Sequence, residues 1–184
     1  MHVVSVNVGL PRVVEWHGRN VETAIWKAPV EGRVPVRGVN VDGDGQADLR
    51  VHGGPDKAVY SYAVEDYAWW SDALGRTLAS GTFGENLTVA GVDLSGAQVG
   101  SRWRVGTTLL EVTQPRFPCF KLGIRMGDAG FVEQFERAAR FGAYFRIVED
   151  GEVGAGDGIE LVASVPPGAP TIREIGVAGL RRAG

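Results

Sequence analysis

The sequence predicts a mainly β protein, a mixed β-barrel with two or three inserted or peripheral α-helices. Short apolar or alternating runs recur at brief intervals, with turn residues between them. Glycine makes up 27 of 184 residues, about twice a typical share of roughly 7 %. These glycines follow no repeating period, which excludes collagen-like and solenoid architectures and suits many tight turns. No β-α-β alternation, dinucleotide fingerprint or Walker loop is visible.

Residues 2–8 alternate as a strand does, with Val4, Val6 and Val8 on one face and Val3, Ser5 and Asn7 on the other. Gly9-Leu10-Pro11-Arg12 breaks that strand. Runs over 13–16, 24–27 and 33–39 predict further antiparallel strands, separated by Gly18, Pro29 and Gly32. Acids then alternate in Val41-Asp42-Gly43-Asp44-Gly45-Gln46-Ala47-Asp48. A calcium loop would need a terminal Glu and a preceding helix, so Asp-Gly turns are the expected use of these carboxylates. A strand follows over 59–62. Over 64–78 the spacing of Tyr67, Trp70, Leu74 and Leu78 predicts an amphipathic helix, with its aromatics in the core rather than stacked on a ligand.

Residues 81–89 read as a loop entering a strand, and 99–105 and 107–113 as two strands meeting near Gly106. A second helix is predicted over 129–140, with Asp128 as N-cap and Phe131, Phe135 and Ala138 or Ala139 inward. Strands over 144–149 and 158–164, with an Asp150-Gly151 turn between them, close a single domain spanning 1–165. In the tail, 166–184, Thr171 and Glu174 have capping-box spacing before a short helix that is too small to be a domain.

Net charge is −3, with 22 % charged and 44 % apolar residues, as in an ordinary globular protein. No long basic stripe marks a nucleic-acid binder, and no apolar stretch approaches the ~18 residues of a membrane span. The N-terminus lacks a signal-peptide pattern, so a cytoplasmic protein is the expectation. The single cysteine excludes an internal disulfide and any site needing several Cys ligands.

That cysteine lies in Gln114-Pro115-Arg116-Phe117-Pro118-Cys119-Phe120-Lys121-Leu122. From Gln114 to Gly127 there are three basic residues and no acidic one, surroundings that favour a thiolate. A small buried hydrophobe is the alternative use of such a residue. Two further loops carry polar groups among glycines, His52-Gly53-Gly54 and Gly84-Glu85-Asn86-Leu87. Paired glycines let backbone approach a ligand, Arg and Lys donate to phosphate, and Asn can both donate and accept. His52 alone suits a structural hydrogen bond as well as catalysis, and Asn86 is equally open.

Taken in order, these segments resemble the MOSC family, named for the C-terminal domain of molybdenum cofactor sulfurase. They are similar to its stand-alone bacterial branch, which includes the 6-hydroxyaminopurine reductases. The matching residues are Gly43-Asp44, Gln46-Ala47-Asp48, His52-Gly53-Gly54-Pro55-Asp56-Lys57-Ala58, Tyr62, Tyr67 and Trp70. They continue with Phe83-Gly84-Glu85-Asn86-Leu87, Gln114-Pro115-Arg116, Pro118-Cys119 and Lys121-Leu122, and the likeness reaches about Val162. The reductase branch carries a further helical segment after the barrel, whereas this sequence ends at Gly184.

The resemblance implies a MOSC-type β-barrel that binds the molybdenum cofactor (molybdopterin), with Cys119 as metal ligand and catalytic residue. Arg116, Lys121, Asn86, Glu85, Gly53 and Gly54 are the implied cofactor-binding residues, and His52 the implied proton donor. The implied activity is reduction of a small N-hydroxylated substrate such as a hydroxylamino-purine. With no flavin or nicotinamide motif, electrons would come from a separate reductase. The alternative is a sulfur carrier with a Cys119 persulfide, serving metal–sulfur cluster maturation.

Overall fold

The computed structural model describes residues 1–45 and 53–183. In chain order come β1 (His2–Val8), β2 (Arg12–Trp16), β3 (Arg19–Thr23), β4 (Ala28–Val30), β5 (Arg33–Arg37) and β6 (Asn40–Val41). A 3-10 turn (Pro55–Lys57) leads to β7 (Val59–Ala63), helix α1 (Val64–Leu74), β8 (Leu87–Ala90), β9 (Arg102–Val105) and β10 (Thr108–Pro115). Then follow α2 (Phe120–Met126), α3 (Phe131–Ala138), β11 (Ala143–Glu149), β12 (Gly151–Gly154), β13 (Ile159–Ala163) and α4 (Ile172–Ala183).

The mainly β class holds, but the closed barrel does not. Eight strands pair in the order β13-β9-β10-β11-β7-β8-β1-β4, and no ladder joins the two ends among the described residues. The sheet does curl. Val3 N–H donates to the Asp157 carbonyl at 2.9 Å and Gly156 N–H to the Val3 carbonyl at 2.8 Å. His2 and Gly158 make one isolated bridge there, which never extends into a ladder. At the other end β4 has three residues with Pro29 at its centre, and proline has no N–H to continue pairing. A three-stranded sheet, β12-β5-β6, and the β2-β3 hairpin are hydrogen-bonded separately from the main sheet, and Val34, Val36, Val41 and Val153 of the former join the common core.

Where the fold departs from the expected elements, local chemistry explains the change. Residues 24–27 form no ladder; the strand that pairs with β2 is Arg19–Thr23, whose single apolar residue hid it. His17 and Gly18, with φ of 49° and 72°, make the tight turn between them. Strands β7 and β8 are parallel with α1 between them, so one β-α-β unit exists that periodicity did not reveal. Helix α1 stops at Leu74 because Gly75 adopts the left-handed conformation. Asp128 is not the N-cap of α3. Its carboxylate instead accepts from Gly130 N–H at 2.8 Å and Gln134 Nε2 at 2.9 Å, just ahead of and inside the first turns.

The core is aromatic. Trp70, Tyr62, Phe83, Phe131 and Phe135 are buried together, with Trp70 and Phe135 stacked at 5.9 Å. The polar edges of this cluster are satisfied: Trp70 Nε1 donates to the Tyr62 hydroxyl, which donates to the Arg140 carbonyl, both at 2.8 Å.

The capping box ahead of α4 forms as its spacing predicts. Glu174 N–H donates to Thr171 Oγ1 at 3.2 Å, and Thr171 N–H donates to Glu174 Oε2 at 2.8 Å. Behind this cap, Gly176 and Gly179 lie flat on two rings; a Cβ on them would stand 2.3 Å from Phe141 and 2.5 Å from Phe117. Phe117 belongs to the cysteine loop, so α4 braces that loop. Thr171→Ala is expected to cost about 1 kcal/mol in chemical denaturation, the usual loss for an N-cap. A change indistinguishable from zero would mean that packing alone holds α4.

Candidate functional site

One cleft, enclosing about 620 Å³ including its open mouth, gathers residues from six parts of the chain. Its floor is Tyr60 on β7 and Tyr144 on β11, which lie side by side in paired strands. Around them stand Thr23, Ala24, Ile25 and Lys27, then Asp44 and Gly45, Lys57, Gly84 and Asn86, and finally Arg116, Cys119 and Lys121. Among the described residues four cations therefore face one carboxylate, which sets the cleft up for an anion.

The cysteine loop is short because it runs directly from a strand into a helix. β10 ends at Pro115, and Cys119 is the extended residue (φ −128°, ψ 170°) before α2, its carbonyl accepting from Leu122 N–H at 2.8 Å. Cys119 is half-buried, while Phe117 and Phe120 beside it are 41 % and 56 % exposed. The sequence reading missed α2. Its apolar residues fall at 120, 122, 124 and 126, which mimics a strand, and Gly127 in the left-handed C-cap conformation was the overlooked helix signal.

Arg116 is buried, 7 % exposed, with its guanidinium 5.4 Å from the Tyr60 ring centre and 5.9 Å from that of Phe135. Its Nη1 has no hydrogen-bond partner among the described residues. A buried unsatisfied donor costs about 1–3 kcal/mol, more on a charged group. Burial also pushes the Tyr144 phenol up, and Arg116 pulls it partly back.

Opposite, Lys27, Asp44 and Asn86 form one network. Lys27 Nζ donates to Asp44 Oδ2, Asn86 Nδ2 donates to the same oxygen at 2.8 Å, and Gly9 N–H donates to Oδ1 at 2.9 Å. Burial drives Lys27 below the ordinary lysine value, while Asp44 pulls it upward. The Asn86 amide is engaged at both ends, since Tyr60 N–H donates to its Oδ1 at 3.1 Å. Gly81 lets the loop before Asn86 lie against this wall: its φ is 84°, and a Cβ there would stand 2.4 Å from the Lys27 carbonyl.

Of the residues expected at the site, Cys119, Arg116, Lys121 and Asn86 meet in the cleft. Glu85 does not line it. It is fully buried behind, Oε1 accepting from Tyr67 OH at 2.6 Å, Gly81 N–H at 2.7 Å and Thr88 Oγ1 at 2.8 Å. Gly53 and Gly54 do not line it either; Gly54, with φ 94°, leads into the 3-10 turn that carries Lys57 to the cleft. His52 lies outside the described residues.

Lys27, Asp44, Lys57, Tyr60 and Tyr144 line the cleft without being among the expected site residues, although Asp44 and Lys57 lie in segments that carry the resemblance. Asp44 does sit in the expected turn, its N–H donating to the Val41 carbonyl at 3.0 Å, but its carboxylate points inward. For Lys27, a charged residue closing the apolar run Ala24-Ile25-Trp26 was the available signal.

Among the described residues no three His, Cys, Asp or Glu side chains cluster as a metal site. A metal held at Cys119 would thus bring most of its ligands on a cofactor, and the cationic walls suit an anionic one. No described helix is long and apolar enough to cross a membrane.

Comparison with known proteins shows the family. The MOSC domain model matches residues 48–160. YflK of Bacillus subtilis (strain 168), an uncharacterized protein, is 42 % identical over 161 residues, covering 88 % of this chain and 73 % of YflK. A protein named reductase from Gibberella moniliformis (strain M3125 / FGSC 7600) is 31 % identical over 149 residues, 79 % of this chain but 26 % of that protein. The crystal structure of YiiM from Geobacillus stearothermophilus superposes with a TM-score of 0.78 at 29 % identity, covering 98 % of this chain and 84 % of YiiM. The chain belongs to the MOSC domain family.

Proposed function

We propose that the cleft binds the molybdenum cofactor and that the protein reduces N-hydroxylated compounds of the hydroxylamino-purine type. The observation that carries this reading is the buried Arg116 guanidinium, whose Nη1 is unpartnered among the described residues, in one cleft with Cys119. A donor left unsatisfied at such cost is accounted for by an anionic ligand group. Arg116 and Lys121, with Lys27 and Lys57, would hold the cofactor's phosphate, and the Cys119 thiolate would be the protein's ligand to the metal. When bound, the cofactor would supply the two-electron chemistry. The net change is cleavage of the substrate N–O bond with two electrons and two protons, giving an amine and water. Electrons come in this reading from a separate reductase, and His52 is the proton donor proposed from sequence.

The test is elemental analysis of protein made in a cofactor-competent host. Wild type is expected to carry near-stoichiometric molybdenum, and Cys119→Ala to lose most of it. Equal metal in both would remove Cys119 as the ligand.

The half-buried position of Cys119 between two exposed phenylalanines favours a second reading, a sulfur carrier reachable by a protein partner. After incubation with a cysteine desulfurase, a Cys119 adduct one sulfur atom heavier, without bound molybdenum, would support it over the first.

A further inference from the structure

Outside the cleft, two arginines lie over the Trp26 indole and a third, Arg76, stands at the adjoining end of α2. The Arg12 guanidinium lies 4.0 Å from the Trp26 ring centre and that of Arg125 lies 5.7 Å away. Arg76 Nη2 donates to the carbonyl of Met126, the residue after Arg125, at 3.3 Å. Arg125 is lowered from the ordinary arginine value by burial first, and the positive charges of Arg12 and Arg76 act in the same direction.

Among the described residues none of the three is in an ion pair, whereas Arg33, Arg37, Arg102, Arg104, Arg140 and Arg146 each pair with a carboxylate. In a chain with more acids than bases, three neighbouring guanidiniums with no paired carboxylate among the described residues leave a local excess of like charge. Stacking on Trp26 occupies Arg12 and Arg125 and the end of α2 occupies Arg76, but neither contact neutralises the charge.

The patch adjoins the cleft from two directions. Trp26 precedes Lys27, and Arg125 is one helical turn beyond Lys121; both lysines line the cleft. Arg12 and Arg76 are exposed, and guanidiniums already lie over the Trp26 ring. This is an open surface of forked donors, suited to several carboxylates of a protein face rather than to one small ligand.

We propose that Arg12, Arg76 and Arg125 form the docking patch for the acidic face of the electron-donating protein, which rests on the reductase reading of the neighbouring cleft. Opposite charge would orient the donor beside the cleft mouth and raise its association rate, with a strong dependence on salt.

The test uses molybdenum-loaded full-length protein, with reduced flavodoxin as an acidic protein donor and reduced methyl viologen as a small donor that needs no docking surface. Arg12→Glu/Arg76→Glu is compared with Arg19→Glu/Arg173→Glu, which carries the same change in net charge on the β2-β3 hairpin and at the start of α4. Wild type is expected to bind flavodoxin at low salt and release it as salt rises. The patch variant should bind at least about tenfold more weakly, and the control within about twofold of wild type. Turnover with methyl viologen should be the same in all three.

Equal flavodoxin binding by wild type and patch variant, no binding by wild type, or an equal loss in the control overturns the proposal. So does low-salt pairing of the protein with itself that the patch variant abolishes. Loaded wild type inactive with methyl viologen would sink the reductase reading instead, while the binding comparison would still decide the role of the patch.

Discussion

Asp44→Ala is expected to destabilise the protein by about 3–5 kcal/mol, because it strands a buried cation. Lys27 and Asp44 side chains are 9 % and 2 % exposed, so water cannot replace the lost partner without opening the cleft. The same change removes the acceptor of Asn86 Nδ2 and of Gly9 N–H. Lys27, already lowered by burial, loses the carboxylate that pulls it back, and falls further below its ordinary 10.5. Between its folded value and 10.5 the unfolded chain then binds more protons at Lys27 than the folded one, so stability of the variant rises with pH. Denaturation midpoints should therefore show a larger defect near neutrality than in mildly alkaline buffer. Adding Lys27→Met should recover part of the loss, since the double variant buries no unpaired charge. A defect that ignores pH and is not relieved by Lys27→Met would show that the pair is not what holds this wall.

Much of the framework was legible because its causes are local. Alternation marked β1, the turn near Gly106 marked the approach to β10, the spacing of Tyr67 and Trp70 marked α1, and Thr171 with Glu174 marked the start of α4. The misses arise where distant residues decide. β3 is a strand only because it pairs across a tight turn with β2, and the parallel β7–β8 pairing is set through the intervening helix. Barrel closure depends on strands far apart in sequence, and here β1 meets only the segment ahead of β13, through isolated hydrogen bonds and one bridge rather than a ladder.

At the site the division is the same. Cys119, Arg116, Asn86 and Lys121 stood out through the glycines, prolines and lone cysteine of their loops together with the order of those loops in the MOSC resemblance. Asp44 and Lys27 were not. The bonds that make them a unit span 17 and 42 positions, to each other and to Asn86, and local sequence favours a turn at the one and an apolar run at the other.

Glu85→Ala should be comparably damaging, at least about 3 kcal/mol, because three buried donors lose one acceptor and each stranded donor costs about 1–3 kcal/mol. Glu85→Gln keeps an acceptor at Oε1 and nearly the same volume, so its effect near neutrality should be much smaller. The two changes separate hydrogen bonding from charge. Burial raises the Glu85 carboxyl above its ordinary 4.5, against hydrogen bonds from Tyr67, Gly81 and Thr88 that pull it down. The folded protein therefore binds more protons at this site than the unfolded chain from 4.5 up to the folded value, so this contribution is full below 4.5 and fades as pH rises. Glutamine does not titrate, so wild type should gain on Glu85→Gln as the buffer is acidified toward 4.5. A difference constant across that range would mean that Glu85 keeps one protonation state throughout. The consequence for the cleft is geometric. Glu85 holds the Gly81 amide, Gly81 lies against the Lys27 carbonyl, and Asn86 next to Glu85 grips Asp44. A buried carboxyl that touches no cleft surface thereby fixes the distance between the Lys27 wall and the loop facing it. Glu85→Ala should accordingly loosen anion binding in the cleft, measured with pyrophosphate, while Glu85→Gln retains it.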